Sequence, residues 1–182
     1  MTAVEFAFVA PVMFLLLFGL LELGYVGFAR STLESSILVA SRQSKVAQCP
    51  AQNADLIRAE LAERMSVVAS ADGNPPVLTV ASYGTNFGNV GNPEPFNDVN
   101  GDGVFNDGEA YTDINGNGQW DADMGKTGNF GAFGEVVEFT ASYNVPSLIP
   151  YMAKALNNTD GFYTITAETV VRNEPFKEVT CP

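Results

Sequence analysis

The most specific chemistry in this sequence lies in an acidic stretch near the middle of the chain. Residues 86–124 contain eight Asp or Glu and no Lys or Arg. Within it, residues 98–109 place Asp or Asn at positions 1, 3 and 5 of a twelve-residue loop, Gly at position 6 and Glu at position 12. This spacing predicts a calcium loop, because a hard cation takes six to eight oxygens and alternate side chains of a tight loop supply them. The predicted donors are Asp98, Asn100, Asp102, the carbonyl of Val104, Asn106 and Glu109.

A near-repeat of this loop begins fifteen residues later, at Asp113. Its position 12 is Met124, so we expect Asp121 or Asp123 to close the second site. The predicted donors are Asp113, Asn115, Asn117, the carbonyl of Gln119, Asp121 and Asp123. An acidic surface loop rich in Gly and Asn would explain one such match but not two in tandem. The flanks are not long amphipathic helices, so the pair resembles dockerin-like and other extracellular calcium repeats rather than an EF-hand.

Composition excludes several other kinds of chemistry. The chain has no His, which removes Ser-His and Cys-His catalysis and histidine-bound metals. Nine Lys and Arg against 21 Asp and Glu give a net charge of −12, which argues against nucleic acid as a partner. Glu135 and Glu138 stand at strand spacing and are expected to face solvent or a neighbouring subunit. We therefore predict no catalytic residues and no enzymatic activity.

A different carboxylate, Glu5, stands at the start of a long apolar segment. Glu22 is the only charge between residues 6 and 29, and these 24 residues reach about 36 Å as a helix, enough to cross a membrane. A signal peptide would begin with basic residues, which are missing here. A simple membrane anchor fits the length, but Glu5 is then an acid beside an apolar segment with no basic residue near it in the sequence, and an isolated carboxylate there is costly. In a third interpretation, the free ammonium of Met1 neutralises Glu5 in the same chain or in a neighbour.

The third interpretation coincides with a family resemblance. The matching residues are Ala3 to Ala7, Pro11, Leu17 to Gly19 and Glu22. They resemble the N-terminus of TadE-like pseudopilins of the tight-adherence (Tad) pilus, a branch of the type IV pilin superfamily, and residues 169–176 resemble its closing strand. The resemblance implies that a prepilin peptidase exposes Met1, because the family glutamate is the fifth mature residue. It also implies that Met1, Glu5, Pro11 and Glu22 act in assembly.

These residues must be positioned by an α+β fold. We predict a long N-terminal helix, loosened near residues 8–12 by Pro11 and continuing to about residue 46. Its second half carries an apolar stripe at Leu33, Ile37, Ala40 and Ser44. Further predicted elements are a helix over residues 55–68, about three antiparallel strands (residues 77–83, 137–143 and 163–171) and a short helix over residues 147–156. The apolar face predicted for the helix over residues 55–68 consists of Ile57, Leu61, Met65 and Val68. The apolar residues that alternate with polar ones in the second strand are Val137, Phe139, Ala141 and Tyr143. The predicted domains are the assembly helix (1–47) and the head (48–182), with the calcium-binding insertion at 86–128.

The two cysteines, Cys49 and Cys181, lie at the neck and near the end of the chain. Both are outside the membrane in an exported topology, where disulfides persist. A bond between them would stabilise the head by roughly 4–5 kcal/mol in the chain-entropy model. It would also staple the last strand to the base of the long helix. The alternative is two unrelated free thiols.

Two functional hypotheses follow from the resemblance. In the first, the chain is a structural subunit of an extracellular filament and assembles through its apolar helix. In the second, it is a minor pseudopilin that stays in the inner membrane and primes assembly, or a tip adhesin that binds a surface. Either implies self-association, the inner membrane before assembly, and the prepilin peptidase and pilus assembly machinery as partners.

Overall fold

The computed structural model describes residues 3–44, 50–150, 154 and 160–174. Its elements are α1 (Ala3–Ser44), α2 (Pro50–Met65), β1 (Val77–Ser82), a 3₁₀ turn (Phe87–Asn89), β2 (Lys126–Thr127), β3 (Val136–Pro146) and β4 (Phe162–Arg172). The predicted α+β class is confirmed. The sheet has four antiparallel strands in the order β2-β1-β3-β4 rather than about three. The additional strand is β2, whose two residues pair with Ala81 and Ser82.

The first helix has an exposed apolar half and a half that packs against the head. It runs without interruption through Pro11 for 42 residues, or about 63 Å. It is the one helix in the described part of the chain that is long and apolar enough to cross a membrane. Leu33, Ile37 and Ala40 are buried, as the predicted stripe requires. The side chain of Ser44 lies outside the described residues.

The second helix packs beside α1, and its buried residues belong to the same core cluster as those of α1 and the sheet. It spans Pro50–Met65, so it begins five residues before the predicted start and ends three residues before the predicted end. The predicted apolar face is confirmed, because Ile57, Leu61, Met65 and the following Val68 are all buried. Together with α1, this face forms the helical layer of the core.

The sheet forms the other layer, with β3 at its centre. β3 pairs with β1 through registers such as Val80↔Phe139, and with β4 through registers such as Ala141↔Ala167. The predicted alternation is confirmed in β3, where Val137, Phe139, Ala141, Tyr143 and Val145 are buried. Burying every second residue on the helix side leaves a more polar opposite face, which includes Glu138 and Thr140.

Two segments connect these strands. The long acidic segment lies between β1 and β2 in the chain. Of the short helix predicted over residues 147–156, Pro150 and Lys154 are helical, residues 147–149 are not, and the remaining positions lie outside the described residues.

Candidate functional site

The apolar half of α1 is a candidate interaction surface. Its large side chains are solvent-exposed in the single chain, with Phe8 at 79% and Leu20 at 73% exposure. Glu5 lies on this exposed half. Met1 is outside the described residues, so the Met1–Glu5 pair stays a prediction. A helix with this much exposed apolar surface needs a membrane or other apolar helices to cover it.

Glu22 marks the point where the head begins to cover α1. It is 3% exposed, and its Oε2 accepts a hydrogen bond from the backbone N–H of Ile149 at 3.2 Å. Its Oε1 is buried with no hydrogen-bond partner in the described structure, as are Ser147 Oγ and Tyr163 Oη. Burial and then the negative charge of Glu22 raise the pKa of Tyr163. Glu22 therefore belongs to the helix–head junction, whereas Glu5 belongs to the uncovered half.

The first acidic loop is folded around Asp98. Asp98 Oδ1 accepts a hydrogen bond from the backbone N–H of Gly101 at 2.6 Å, and Oδ2 accepts one from Gly103 at 2.8 Å. Gly103 has a φ of 76°, a left-handed conformation that disfavours residues with a Cβ. This explains the glycine at position 6 and shows that the first residue of the loop sets its curvature.

The predicted donors of this loop meet around Asp102. Asp102 Oδ2 accepts hydrogen bonds from Nδ2 of Asn100 at 3.0 Å and of Asn106 at 3.2 Å. Asn106 Nδ2 also donates to the carbonyl of Val104 at 2.8 Å. Hydrogen bonds from the Val104 N–H and then from Asn106 lower the pKa of Asp102, which favours its charged form. These four residues thus place carboxylate, amide and carbonyl groups next to one another, which are the kinds of oxygen donor that calcium takes.

Glu109 closes the base of the first loop. Its Oε1 accepts a hydrogen bond from the N–H of Val99 at 3.0 Å, and its Oε2 accepts one from the N–H of Asn106 at 2.9 Å. These are positions 2 and 9 of the loop. The predicted position-12 carboxylate is thus placed beside the other donors.

The second loop repeats this geometry around Asp113. Its Oδ1 accepts from Gly116 N–H at 2.6 Å and its Oδ2 from Gly118 N–H at 2.8 Å. Nδ2 of Asn115 and Nδ2 of Asn117 both donate to Asp121 Oδ2, at 2.7 and 2.6 Å. The central carboxylate is therefore at position 9 here and at position 5 in the first loop. The predicted donors Asp113, Asn115, Asn117 and Asp121 are brought together.

Asp123, the other carboxylate predicted to close the second loop, has different contacts. Its Oδ2 accepts a hydrogen bond from Tyr83 Oη at 3.0 Å, and its Oδ1 accepts one from Gly125 N–H at 3.1 Å. It therefore ties the end of the insertion to β1. Gln119 donates its N–H to Asn117 Oδ1 at 2.7 Å.

The residue that sequence analysis missed is Glu94. It is fully buried, and its Oε1 accepts hydrogen bonds from the N–H groups of Ile114 at 2.7 Å and Asn115 at 3.3 Å. Its Oε2 accepts one from Asp121 N–H at 3.2 Å. Ile114 and Asp121 are positions 2 and 9 of the second loop, the positions that Glu109 contacts in the first. The signal was present in the sequence, because Glu94 precedes Glu109 by the same fifteen residues that separate Asp98 from Asp113.

A metal ion in either loop would need neutral oxygen donors in addition to carboxylates. In the described structure, no three Asp, Glu, His or Cys side chains lie close enough to hold a metal by themselves. Each loop instead combines carboxylates with Asn amides and backbone carbonyls. This is the donor set of calcium rather than of zinc or iron, which select nitrogen and sulfur.

The predicted disulfide cannot be placed on this structure. Cys49 and Cys181 both lie outside the described residues. The last described residues, at the end of β4, pair with the start of β3, where Arg172 lies opposite Val136. The pairing of the two cysteines stays a prediction.

Comparison with known proteins gives one finding. Residues 1–42 match the family model described as TadE-like protein, a match that covers nearly all of α1 and ends before α2. The resemblance predicted from the N-terminal motif is thus confirmed for this helix. Comparisons with curated proteins and with solved structures give no match.

Proposed function

From a TadE-like N-terminal helix joined to an α+β head, we propose that this protein is a structural subunit of an extracellular Tad-type filament. The observation that carries the proposal is the division of α1. Its first half is apolar and exposed, whereas from Ala29 onward one face is buried in the head. Such a helix can anchor the chain in the inner membrane before assembly and pack against helices of other copies afterwards. The prepilin peptidase and the pilus assembly machinery are its proposed partners.

Glu5 determines the register in which the helices pack. An unpaired carboxylate buried between apolar helices costs several kcal/mol, so each Glu5 needs a cation when the helices are covered. The ammonium of Met1, in the same or a neighbouring chain, is the proposed partner. Leu, Val and Phe side chains of α1 can slide past one another, but a charge pair fixes the register.

Replacing Glu5 with Ala tests the proposal. We expect Glu5→Ala to remain folded and inserted in the membrane but to reduce filament yield by about tenfold or more, because about 1.4 kcal/mol changes an association constant tenfold. Glu34→Ala is the matched control, since Glu34 lies on the same helix and pairs with Arg30 at an exposed site. Filament yield is measured on material sheared from cells. Normal yield from Glu5→Ala would contradict the proposal.

The alternative function is a minor pseudopilin that primes assembly from the inner membrane, or a tip adhesin. The TadE-like match favours this alternative, because the family resembled is one of pseudopilins. Mass spectrometry of the sheared filaments distinguishes the two. A structural subunit is the dominant chain and begins at Met1, whereas a minor pseudopilin is a trace component or remains in the membrane fraction.

We also propose that the two acidic loops bind calcium, one ion each. The support is that Asp98 and Asp113 form the same turn, and that each loop gathers amide and carboxylate groups around one point. Eight acids without a base in this stretch repel one another, and a divalent cation would neutralise part of that charge. Extracellular loops of this kind bind calcium at about 10⁻⁴–10⁻³ M, near environmental concentrations.

A further inference from the structure

The insertion has an internal symmetry that appears only in the folded chain. Residues 94–108 and 109–123 are repeats offset by fifteen positions. Phe96 and Tyr111, which occupy the same repeat position, form an antiparallel bridge with each other. The two hydrogen bonds beside this bridge are equivalent to each other under the same offset: Asn97 N–H donates to Ala110 O, and Thr112 N–H donates to Pro95 O, both at 2.8 Å. Antiparallel pairing of equivalent residues relates the repeats by an approximate two-fold rotation.

Glu94 and Glu109 are related by the same symmetry, and the side chain of each contacts the loop of the other repeat. Glu94 is the first residue of the first repeat, but its side chain holds the loop of the second. Glu109 is the first residue of the second repeat, but its side chain holds the loop of the first. Their backbone N–H groups follow the same rule, since Glu94 donates to Asp121 O at 2.9 Å and Glu109 donates to Asn106 O at 3.0 Å.

An aromatic cluster forms the centre of this arrangement. Phe105 and Trp120 are repeat mates and stack with ring centroids 4.6 Å apart. Phe96 packs edge-on against Trp120 at 5.9 Å, and its mate Tyr111 packs edge-on against Phe105 at 5.6 Å. These three contacts join one repeat to the other, and only the edge-on contact of Phe96 with Phe105 at 5.8 Å lies within a repeat among the described ring pairs of the cluster. Opening either repeat would therefore remove most of the aromatic packing.

The Glu94 carboxylate depends on the second loop for its hydrogen bonds. It is fully buried, and residues 86–124 offer no Lys or Arg to pair with it. Its carboxylate is held by backbone N–H groups of the second loop, and opening that loop would leave a buried charge without partners. Its contacts therefore join the segment before the first loop to the backbone of the second.

We propose that the insertion is one reciprocally closed unit, in which each repeat's glutamate closes the loop of the other, and that Glu94 is the positioning residue of the second loop. The loops then open and close together rather than independently. If the loops bind calcium, an ion in one loop raises the affinity of the other; this consequence rests on the proposed function.

Amide hydrogen exchange of the full chain, in detergent with excess chelator, tests without any metal whether the two loops close each other. Glu94→Gln places an amide donor against N–H donors, so we expect faster exchange in residues 113–121 and, through the aromatic cluster, in residues 98–106. Glu109→Gln should give the same pattern, beginning in the first loop. Asp107→Asn is the matched control, because Asp107 is an exposed acid of the same insertion. Unchanged exchange in β3 shows that each variant is folded.

The proposal is overturned if Glu94→Gln exchanges like Asp107→Asn, or if only residues next to position 94 change. Calcium titration followed by the fluorescence of Trp120, the single tryptophan, gives a second readout. We expect Glu94→Gln to weaken calcium binding at both loops by roughly fivefold or more, the usual scale of coupling between sites. If wild-type protein binds no calcium, the proposed cofactor is wrong while the exchange result still decides the closure. If it binds two ions and Glu94→Gln binds both equally well, the closure is wrong.

Discussion

At the scale of single residues, Tyr83 connects the insertion to the sheet. It is buried at the end of β1, and its Oη lies 2.9 Å from Glu138 Oε2 and 3.0 Å from Asp123 Oδ2. Burial, followed by the hydrogen bonds and charges of these two acids, raises the pKa of Tyr83. Gly125 leaves space for the ring, because a Cβ there would lie 2.6 Å from Tyr83 Cζ. The protonated hydroxyl is thus part of the native structure.

The pH dependence of stability follows from the raised pKa of Tyr83. An unfolded tyrosine titrates near pH 10, whereas the native state keeps the proton at higher pH. The stabilisation from this group is therefore complete below about pH 10 and is lost as the pH rises beyond it. We expect the free energy of unfolding to fall more steeply between pH 9 and 11 in wild type than in Tyr83→Phe. Urea denaturation measures this, with Tyr111→Phe as the control; parallel curves for wild type and Tyr83→Phe would contradict it.

At the scale of elements, α1 and α2 use their apolar residues for different purposes. The first half of α1 exposes Leu, Val and Phe side chains, whereas α2 buries one face against the head core and turns the other to solvent. The core cluster draws on both helices and on three strands, which makes the head a two-layer structure. The apolar half of α1 is therefore left uncovered by the head.

The two faces of α2 provide a matched pair of leucines. Leu61 is fully buried, whereas Leu56 is 60% exposed. We expect Leu61→Ala to lower the free energy of unfolding by about 2–5 kcal/mol, because it removes buried methyl groups and leaves a cavity. Leu56→Ala should change it by no more than about 0.5 kcal/mol. Urea denaturation of the full chain in detergent compares the two variants, and equal losses of unfolding free energy would contradict the different burial of Leu61 and Leu56.

At the scale of the whole molecule, the acidic insertion and the head each have their own cluster of packed side chains. The insertion holds eight of the 21 acids and has its own aromatic cluster, none of which belongs to the hydrophobic core of the head. Neutralising the acidic charge of the insertion should therefore change the conformational order of the insertion more than that of the sheet.

Calcium removal tests this division. We expect a chelator to lower the melting temperature by about 2–4 °C for each kcal/mol of binding energy lost, and to increase protease cleavage within residues 97–124. Asp98→Ala combined with Glu109→Ala should reproduce the effect and make it insensitive to chelator, while far-ultraviolet circular dichroism shows the sheet intact. Asp107→Ala is the control. An identical melting temperature in millimolar calcium and in excess chelator would indicate that the acidic segment is only a solvated loop.

The sequence by itself determined the elements and the local turns. The alternation around Phe139 and the spacing of Ile57, Leu61 and Met65 predicted buried faces, because strand and helix periods are local properties. The turns at Asp98 and Asp113 were predictable for the same reason: an Asp side chain that caps N–H groups within five residues needs no distant partner. The N-terminal family motif is likewise contiguous in the chain.

Only the tertiary structure decided which carboxylate closes the second loop. Glu109 is eleven residues from Asp98, within its own twelve-residue motif, so spacing alone identified it. Glu94 lies 20 residues from Ile114 and 27 from Asp121, and no local period connects them. These residues meet because the stacking of Phe105 on Trp120 and the bridge between Phe96 and Tyr111 bring the two repeats face to face. A contact that depends on two repeats packing together is a property of the folded chain.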